Sequence, residues 1–450
     1  MDPAAAQASL GAALPLWTVA PFVLLLASIA VLPLAASDWW EAHGHKALVA
    51  LVLAAPFAAW LILAHGAEGA EHLGDSLRDY VSFIVLLGSL FVISGGIHVG
   101  GSLAGTPLAN TAFLGVGAVM ANLIGTTGAS MVLIRPLLRG NEERRRKAHV
   151  FVFFIFVVSN CGGLLTPLGD PPLFLGFLKG VPFLWSLGLW GPWLVVNGLL
   201  LVTFHVVDGF ILERERRERS EDLLDEVLEH QPLRIDGLHN LLFLGGVVMV
   251  MVGRGQGWGT AGQAWPFGLQ EGAMALLASL AYSTTGSACR EANRFGFGPI
   301  VEVGVLFLGI FVTMTAPLLI LNARGAALGL EAPWHYFWAT GALSSFLDNA
   351  PTYLTFAAAA AGEVGVSVTE PGYLAEVLKS GARGESLIAA ISCGAVMMGA
   401  NTYIGNGPNF MVRAIVEHAG IRMPSFFGYM AWSAAILLPA FVIVTLLFFR

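Results

Sequence analysis

The chain is 450 residues long, 56% hydrophobic and only 12% charged, with a mean hydropathy of +0.73 and a formal net charge of −7. A soluble domain carries about twice that charged fraction, so a soluble globular protein is excluded. Apolar stretches of about 18 residues or more, long enough to cross roughly 30 Å of hydrocarbon, recur along the whole length and predict an all-α polytopic membrane protein with its charges in loops.

In chain order, the opening MDPAAAQASLGAALP lacks Lys and Arg and makes a poor signal peptide, so the first span is expected to remain in the mature protein. Spans are predicted at 14–34, 45–65, 79–101, 147–178, 183–211, 237–255, 268–287, 298–321, 385–413 and 425–449, about ten transmembrane helices in all. Segments 107–137 and 334–361 are also apolar but carry polar, Gly- or Pro-rich centres, ANLIGTTGAS and SSFLDNAPTYLTF. Their halves are too short to cross singly and read as two re-entrant hairpins, which lipid tolerates only where protein or a water-filled cavity surrounds the broken backbone. Spans 147–178 and 385–413 are interrupted by SNCGGLLTPLGDPP and SCGAVMMGANTYIGNGPN and are predicted to be broken helices. Cys161, Cys289 and Cys393 are scattered and odd in number, which argues against a disulfide framework or a zinc site.

Placing the loop RPLLRGNEERRRK (135–147) in the cytoplasm puts 16 of the 23 Lys and Arg on that side and 7 on the other. The first hairpin then enters from the cytoplasm and the second from outside. Interruptions of similar composition recur about 230 residues apart: Cys161-Gly162 and Cys393-Gly394 differ by 232, Gly169 and Gly405 by 236, which predicts a second break a few residues longer than the first. The expected organisation is N-terminal helices in 1–78, to which the family resemblance given below assigns a scaffold role, a first inverted repeat in 79–211, a charged cytoplasmic linker in 212–236 and a second inverted repeat in 237–450.

A helix broken at the midplane exposes carbonyls at the end of one half and N–H groups at the start of the next. Carbonyls with Asn, Thr, Ser and Asp oxygens suit a hard cation; the N–H ends suit an anion. Thr126, Thr127, Ser159, Asn160, Thr166 and Asp170 are expected to form one such cluster, and Asp348, Asn349, Thr352, Asn401, Thr402, Asn406 and Asn409 its counterpart. The alternative for Asp170 and Asp348, each just ahead of a proline, is capping of the following helix. A membrane carboxylate costs about 2.5–3.5 kcal/mol, however, and Asn, Ser or Thr would cap without that charge. Asn406 in GNGPN holds the place of Asp170 in GDPP, so only one half is ionisable there. Glu302, a lone acid near the start of an apolar span, either snorkels to the interface or carries protons. His98 in SGGIHVGG is expected to be packed or hydrogen-bonded rather than proton-transferring.

ANLIGTTGASMVLIRPLLRGN, SNCGGLLTPLGDPPLFLGFLKGVPF, REANRFGFGPIVEVGVLFLGIF, SSFLDNAPTYLTF and GANTYIGNGPNFMVRAIVEHAGIRMPSFFGYM resemble the NhaD-type sodium/proton antiporters, members of the citrate-transporter-like ion transporter superfamily, over about residues 80–450. That resemblance implies an inverted-repeat fold and exchange of cytoplasmic Na⁺, or Li⁺, for external H⁺, with no cofactor beyond the transported ions. It implies cation binding at Asn160, Thr166, Asp170, Asp348, Asn349, Thr352, Asn401, Asn406 and Asn409, with Asp170, Asp348 and Glu302 as acids for proton coupling. It further implies a homodimer in the plasma membrane of a bacterial-type cell, with no nucleic-acid partner. The competing reading is Na⁺- or H⁺-coupled uptake of an organic anion such as citrate. An intramembrane aspartyl protease is disfavoured, because Pro167 stands where its GxGD pattern needs glycine. No enzyme is expected.

Overall fold

The computed structural model describes residues 10–40, 42–101, 104–218, 234–260, 265–293, 295–324 and 329–450. It is an all-α membrane protein whose described residues hold only one small sheet. Five helices are long and apolar enough to cross a membrane, and a sixth candidate is a pair bent by 43°.

Helix α1 (Ala20–Ala35) is followed by α2 (His43–Gly95), whose 53 residues would span about 80 Å if straight. It is not straight. Gly66 adopts φ 59°, ψ −128°, a conformation open to glycine, and the Cβ position of Gly69 lies against the Leu61 carbonyl. Both limbs pack on α9 (Gly298–Thr313) and α10 (Thr315–Arg324), in opposite directions. Lys46 meets Glu302 and Ala50 meets Gly309 in one limb, while Ile84 meets Gly304 and Ser76 meets Thr315 in the other. The expected loop between 65 and 79 is therefore helix from Gly66 onward, and the second limb stops at Gly95 rather than continuing to 101. Beyond it, His98–Gly100 form strand β1, paired antiparallel with β2 (Arg234–Asp236), so SGGIHVGG ends in a strand rather than in the helix expected to 101. Residues 219–233 of the expected linker lie outside the described residues.

Helix α3 (Pro107–Gly140) doubles back on itself. Asn110 and Asn141, 31 residues apart, exchange amide hydrogen bonds at 2.9 Å, and the Cβ position of Gly117 faces both Leu133 and Val158. The turn falls at Gly125, with φ 77°. The second hairpin comprises α11 (Pro333–Ser344) and α12 (Asn349–Glu363); Tyr336 donates to Glu363 at 2.7 Å across its open end. Each hairpin is followed by a broken helix. The first is α4 (Ala148–Val157) and α5 (Pro171–Leu178), leading to α6 (Trp190–Glu218). Next in the chain come α7 (Asn240–Gln256) and α8 (Leu269–Thr284). After α13 (Tyr373–Lys379), the second broken helix is α14 (Ala382–Met398) and α15 (Gly407–His418), followed by α16 (Phe426–Phe448).

The open end of the first hairpin is anchored by a buried polar knot. Asp208 of α6 holds Arg144 at 2.5 Å, accepts from His149 Nε2 at 2.7 Å if that nitrogen carries the proton, and accepts from Asn110 at 3.2 Å. Arg144 and Asp208 side chains are both fully buried. Removing one member of a buried pair strands the other charge, at a cost of about 3–5 kcal/mol. Asp208→Ala should accordingly lower the melting midpoint of the detergent-purified protein, and adding Arg144→Met should recover part of the loss. An unchanged midpoint in the single variant would contradict this anchoring role.

Candidate functional site

The two helix breaks are built alike. In each, two glycines six residues apart let backbone meet backbone: a Cβ on Gly169 would lie 2.1 Å from the Gly163 carbonyl oxygen, and one on Gly405 would lie 2.5 Å from that of Gly399. A threonine between them ties the loop to the adjoining hairpin. Thr166 donates to the Asn122 carbonyl and Thr402 to the Ser345 carbonyl, both at 2.5 Å. The helix after each break starts from an extended N-cap, Asp170 at φ −146°, ψ 145° and Asn406 at φ −149°, ψ 140°. Gly163/Gly399, Thr166/Thr402, Gly169/Gly405 and Asp170/Asn406 all differ by 236, as do the first residues of α6 and α16, Trp190 and Phe426. The Cys-Gly register of 232 is thus not the structural one. The second break is also the shorter, running from 399 to 406 against 158 to 170, because α14 continues helical past Cys393 to Met398 while α4 stops at Val157.

Asp170 stands where both hairpin tips and both breaks meet, and it is 1% exposed. Its Oδ1 accepts from Thr126 Oγ1 at 2.7 Å, at the first hairpin tip, while the Thr126 N–H donates to the Gly169 carbonyl at 2.8 Å. Its Oδ2 accepts from Asn349 Nδ2 at 2.8 Å, at the tip of the second hairpin. Asn406 Nδ2 is 3.4 Å from Oδ1 and also donates to Asn160 Oδ1 and to the Ser159 carbonyl, both at 3.1 Å. Amides extend the network: Asn160 donates to Asn409 Oδ1 at 2.7 Å, and Asn409 donates to the carbonyls of Gly399 and Thr402 at 2.9 Å. Thr126, Ser159, Asn160, Asn349, Asn406 and Asn409 are all buried. Hydrogen bonds to a charged acceptor contribute about 1.5–3 kcal/mol each, enough for this set to offset the cost of desolvating one carboxylate.

The two clusters expected from the sequence are therefore joined through Asp170, with members from both. Other expected residues stand differently. Asp348 makes no hydrogen bond to Asp170; it caps α12 by accepting from the Ala350 N–H at 3.1 Å. Thr352 bonds back to the Asp348 carbonyl at 3.0 Å within its own helix. Thr166 and Thr402 brace the breaks, and Thr127 lines a cavity of about 80 Å³ that reaches Asp170 between apolar walls including Phe83, Leu90, Ile124 and Ile300. Asn401 Nδ2 donates to Ser345 Oγ at 2.9 Å, and its Oδ1 is buried without a partner among the described residues. Glu302 is not a lone acid: Lys46 sits at 2.5 Å, and Glu302 is not among the cavity's lining residues, although Ile300 and Val303 are. The sequence does not show this pair, because Lys46 and Glu302 lie in separate expected spans, 45–65 and 298–321. His98 lies 3.0 Å from Asn293 Oδ1, the packed role expected of it.

Sequence reasoning missed Ser344, which donates to Asn349 Oδ1 and to the Ala395 carbonyl at 2.7 Å, and Ser130, at 2.8 Å from Ser159. Both fall inside the hairpin centres singled out above. A serine has too many bland roles to be chosen without its neighbours.

A polar centre enclosed by broken helices inside an apolar all-α chain defines a multi-pass membrane protein with its chemistry in its interior. A family model described as "putative citrate transport" matches residues 11–449, and the chain belongs to that family, the citrate-transporter-like secondary transporters. A search of curated proteins finds no match.

The close approach inside each break gives a stability test. Gly169→Ala and Gly405→Ala should each destabilise by at least the ~1–3 kcal/mol of an overpacked site, read as a lowered melting midpoint in detergent. Wild-type melting in both variants would contradict the packing described.

Proposed function

We propose that the protein is a secondary active antiporter exchanging cytoplasmic Na⁺, or Li⁺, for external H⁺, as the resemblance to NhaD-type antiporters implies. One observation carries this reading: a buried carboxylate, Asp170, bonded to hydroxyl and amide groups from both hairpin tips and the opposing break and, among the described residues, to no Lys or Arg. Such a carboxylate holds either a proton or a hard cation, and that competition couples the two flows. With Na⁺ at Asp170, a half-turn of the Asn349 and Asn406 amides presents Oδ1 in place of Nδ2, completing an oxygen shell with nearby carbonyls. The two halves act as an inverted repeat, hairpin facing hairpin across the membrane, which suits alternating access. Residues 1–78 serve as scaffold, in a homodimer set in the plasma membrane. Asp348 serves as a second acid for proton coupling, and Glu302, paired with Lys46, as a third.

A second reading is coupled uptake of an organic anion. The family's description favours it, as does the convergence of the N-terminal ends of α5, α12 and α15, where partial positive charge accumulates.

In everted vesicles, Asp170→Asn should reduce Na⁺-dependent proton movement to background while leaving membrane insertion intact, and Asn349→Ala should weaken it about tenfold or more through the lost hydrogen bond. Exchange at wild-type rate in Asp170→Asn would end the carboxylate mechanism. Uptake of labelled citrate by wild type, without Na⁺-dependent pH change, would establish the second reading in its place. Glu302→Gln should displace the pH profile of exchange; an unmoved profile would leave Glu302 only its ion pair with Lys46.

A further inference from the structure

Two cavities lie end to end along the second limb of α2, α5 and the α9–α10 pair. The inner one is the cavity of about 80 Å³ that reaches Asp170; the outer one, of about 310 Å³, is polar. All three supports agree on the order. On α2 the outer cavity is lined by residues up to Ser82 and the inner one from Phe83 onward. At α5, Asp170 and Phe174 line the inner cavity, and Leu178 and Lys179 the outer. Along α9 and α10, Ile300 and Val303 line the inner cavity, and Met314 and Leu318 the outer. The lining positions His72, Ser76, Asp79, Phe83, Leu86 and Leu90 are three or four apart, so one stripe of α2 serves both. No described residue between Val303 and Met314 lines either cavity, and Phe307 and Phe311 fill that interval, 7% and 1% exposed. Phe83 stacks on Phe307 with ring centroids 4.8 Å apart and lies 5.6 Å from Phe311. Tyr80 meets Phe311 edge-on at 5.9 Å and donates its hydroxyl to the Gly304 carbonyl at 2.9 Å. The outer cavity is polar up to this boundary: Asp79 pairs with Lys179, Glu271 accepts from Ser82 Oγ at 2.5 Å, and Ser76 Oγ lies 3.0 Å from Thr315 Oγ1.

We propose that the outer cavity is the extracytoplasmic mouth of a conduit to Asp170, and that Phe83, stacked on Phe307, is the bar that closes it. The Lys and Arg distribution assigns Arg78, Lys179 and Arg254, all lining the outer cavity, to the side away from the cytoplasm. At about 310 Å³ the mouth far exceeds the ~15 Å³ that one water needs, and its ion pairs and hydroxyls give water partners. Past Ser82 the lining of α2 turns apolar within one residue. A cation crossing the rings would leave its water with nothing to replace it, which is how an apolar constriction shuts a pore. The Tyr80 bond to Gly304 ties α2 to α9 beside the stack and holds both rings in register. Which ion uses the conduit rests on the antiport reading; the conduit and its bar do not.

The test reads accessibility, which needs no transport. Full-length protein in right-side-out membrane vesicles is exposed to a membrane-impermeant cationic methanethiosulfonate. One reporter is Asp75→Cys in the outer cavity and the other Thr127→Cys in the inner, each compared with the chain carrying only Cys161, Cys289 and Cys393. Asp75→Cys should label rapidly and Thr127→Cys slowly. Adding Phe83→Ala or Phe307→Ala should speed labelling of the Thr127→Cys reporter about tenfold or more. Phe441→Ala, which removes an equally buried ring from α16, should leave that rate unchanged. Phe83→Leu, a milder change, should speed it by a smaller factor and keeps the readout if the alanine variants do not fold. An unreactive Asp75→Cys, no acceleration in any Phe83 or Phe307 variant, or equal acceleration with Phe441→Ala would overturn the proposal. Faster labelling alongside wild-type exchange in Asp170→Asn would keep the conduit and end the antiport reading. Unchanged labelling with exchange lost in Asp170→Asn would do the reverse.

Discussion

The carboxylate of Asp170, desolvated and shared among four pieces of broken backbone, is the constraint on which the rest of the arrangement depends. Left alone in an apolar interior it would cost several kcal/mol, and no single helix has the donors to compensate it. The chain answers by bringing a hydroxyl from one hairpin tip, an amide from the other, and a second amide from the opposite helix break to the same two oxygens. Each donor is held in turn where its helix is interrupted: Thr126 by its N–H to the Gly169 carbonyl, Asn406 by the Ser159 carbonyl, and Asn349 by the Ser344 hydroxyl. The breaks, the hairpins and the acid therefore form one structural unit.

That unit is nearly two-fold in its construction and distinctly not two-fold in its chemistry. The paired glycines, the bracing threonines and the extended N-caps repeat at a constant offset of 236. At the N-caps themselves the offset pairs Asp170 with Asn406, so one position can gain or lose a proton and its mate cannot. The amide donates toward the acid, and a duplicated pair of carboxylates would instead repel at that distance. The backbone repeats at this offset while the charge does not, so of the two matched N-caps only Asp170 is ionisable.

The periphery keeps this centre in place with a different kind of interaction. At the open end of the first hairpin, reciprocal amides and the Arg144–Asp208 pair tie the hairpin, the following loop and α6 together. On the other side of the centre, the two limbs of α2 clasp α9 and α10 mostly through aromatic and small-residue packing, with Lys46–Glu302 as the one charged contact noted there. Polar knots pin the open ends of the hairpins, and the smoother apolar faces lie beside them.

Much of this was legible in the sequence. Apolar run lengths gave the class, and Gly, Pro and Asn in the middle of such runs located both hairpins and both breaks, because a broken backbone in lipid needs those residue types. Asp170 stood out for the same reason: a charge there has a cost that a cap alone does not justify. What the sequence did not reveal were distances between segments far apart in the chain. Two clusters were expected where the fold makes one, since only the meeting of the hairpin tips places Asn349 on Asp170. Glu302 read as solitary because Lys46, more than 250 positions earlier, belongs to a limb whose direction is set by the turn at Gly66. The repeat register was misjudged by aligning cysteines, which fill space, instead of glycines, whose backbones must touch. Composition and local pattern decided what each segment could be; tertiary packing alone decided which polar groups would share a buried charge, because that choice depends on contact across the fold and leaves no periodic trace along the chain.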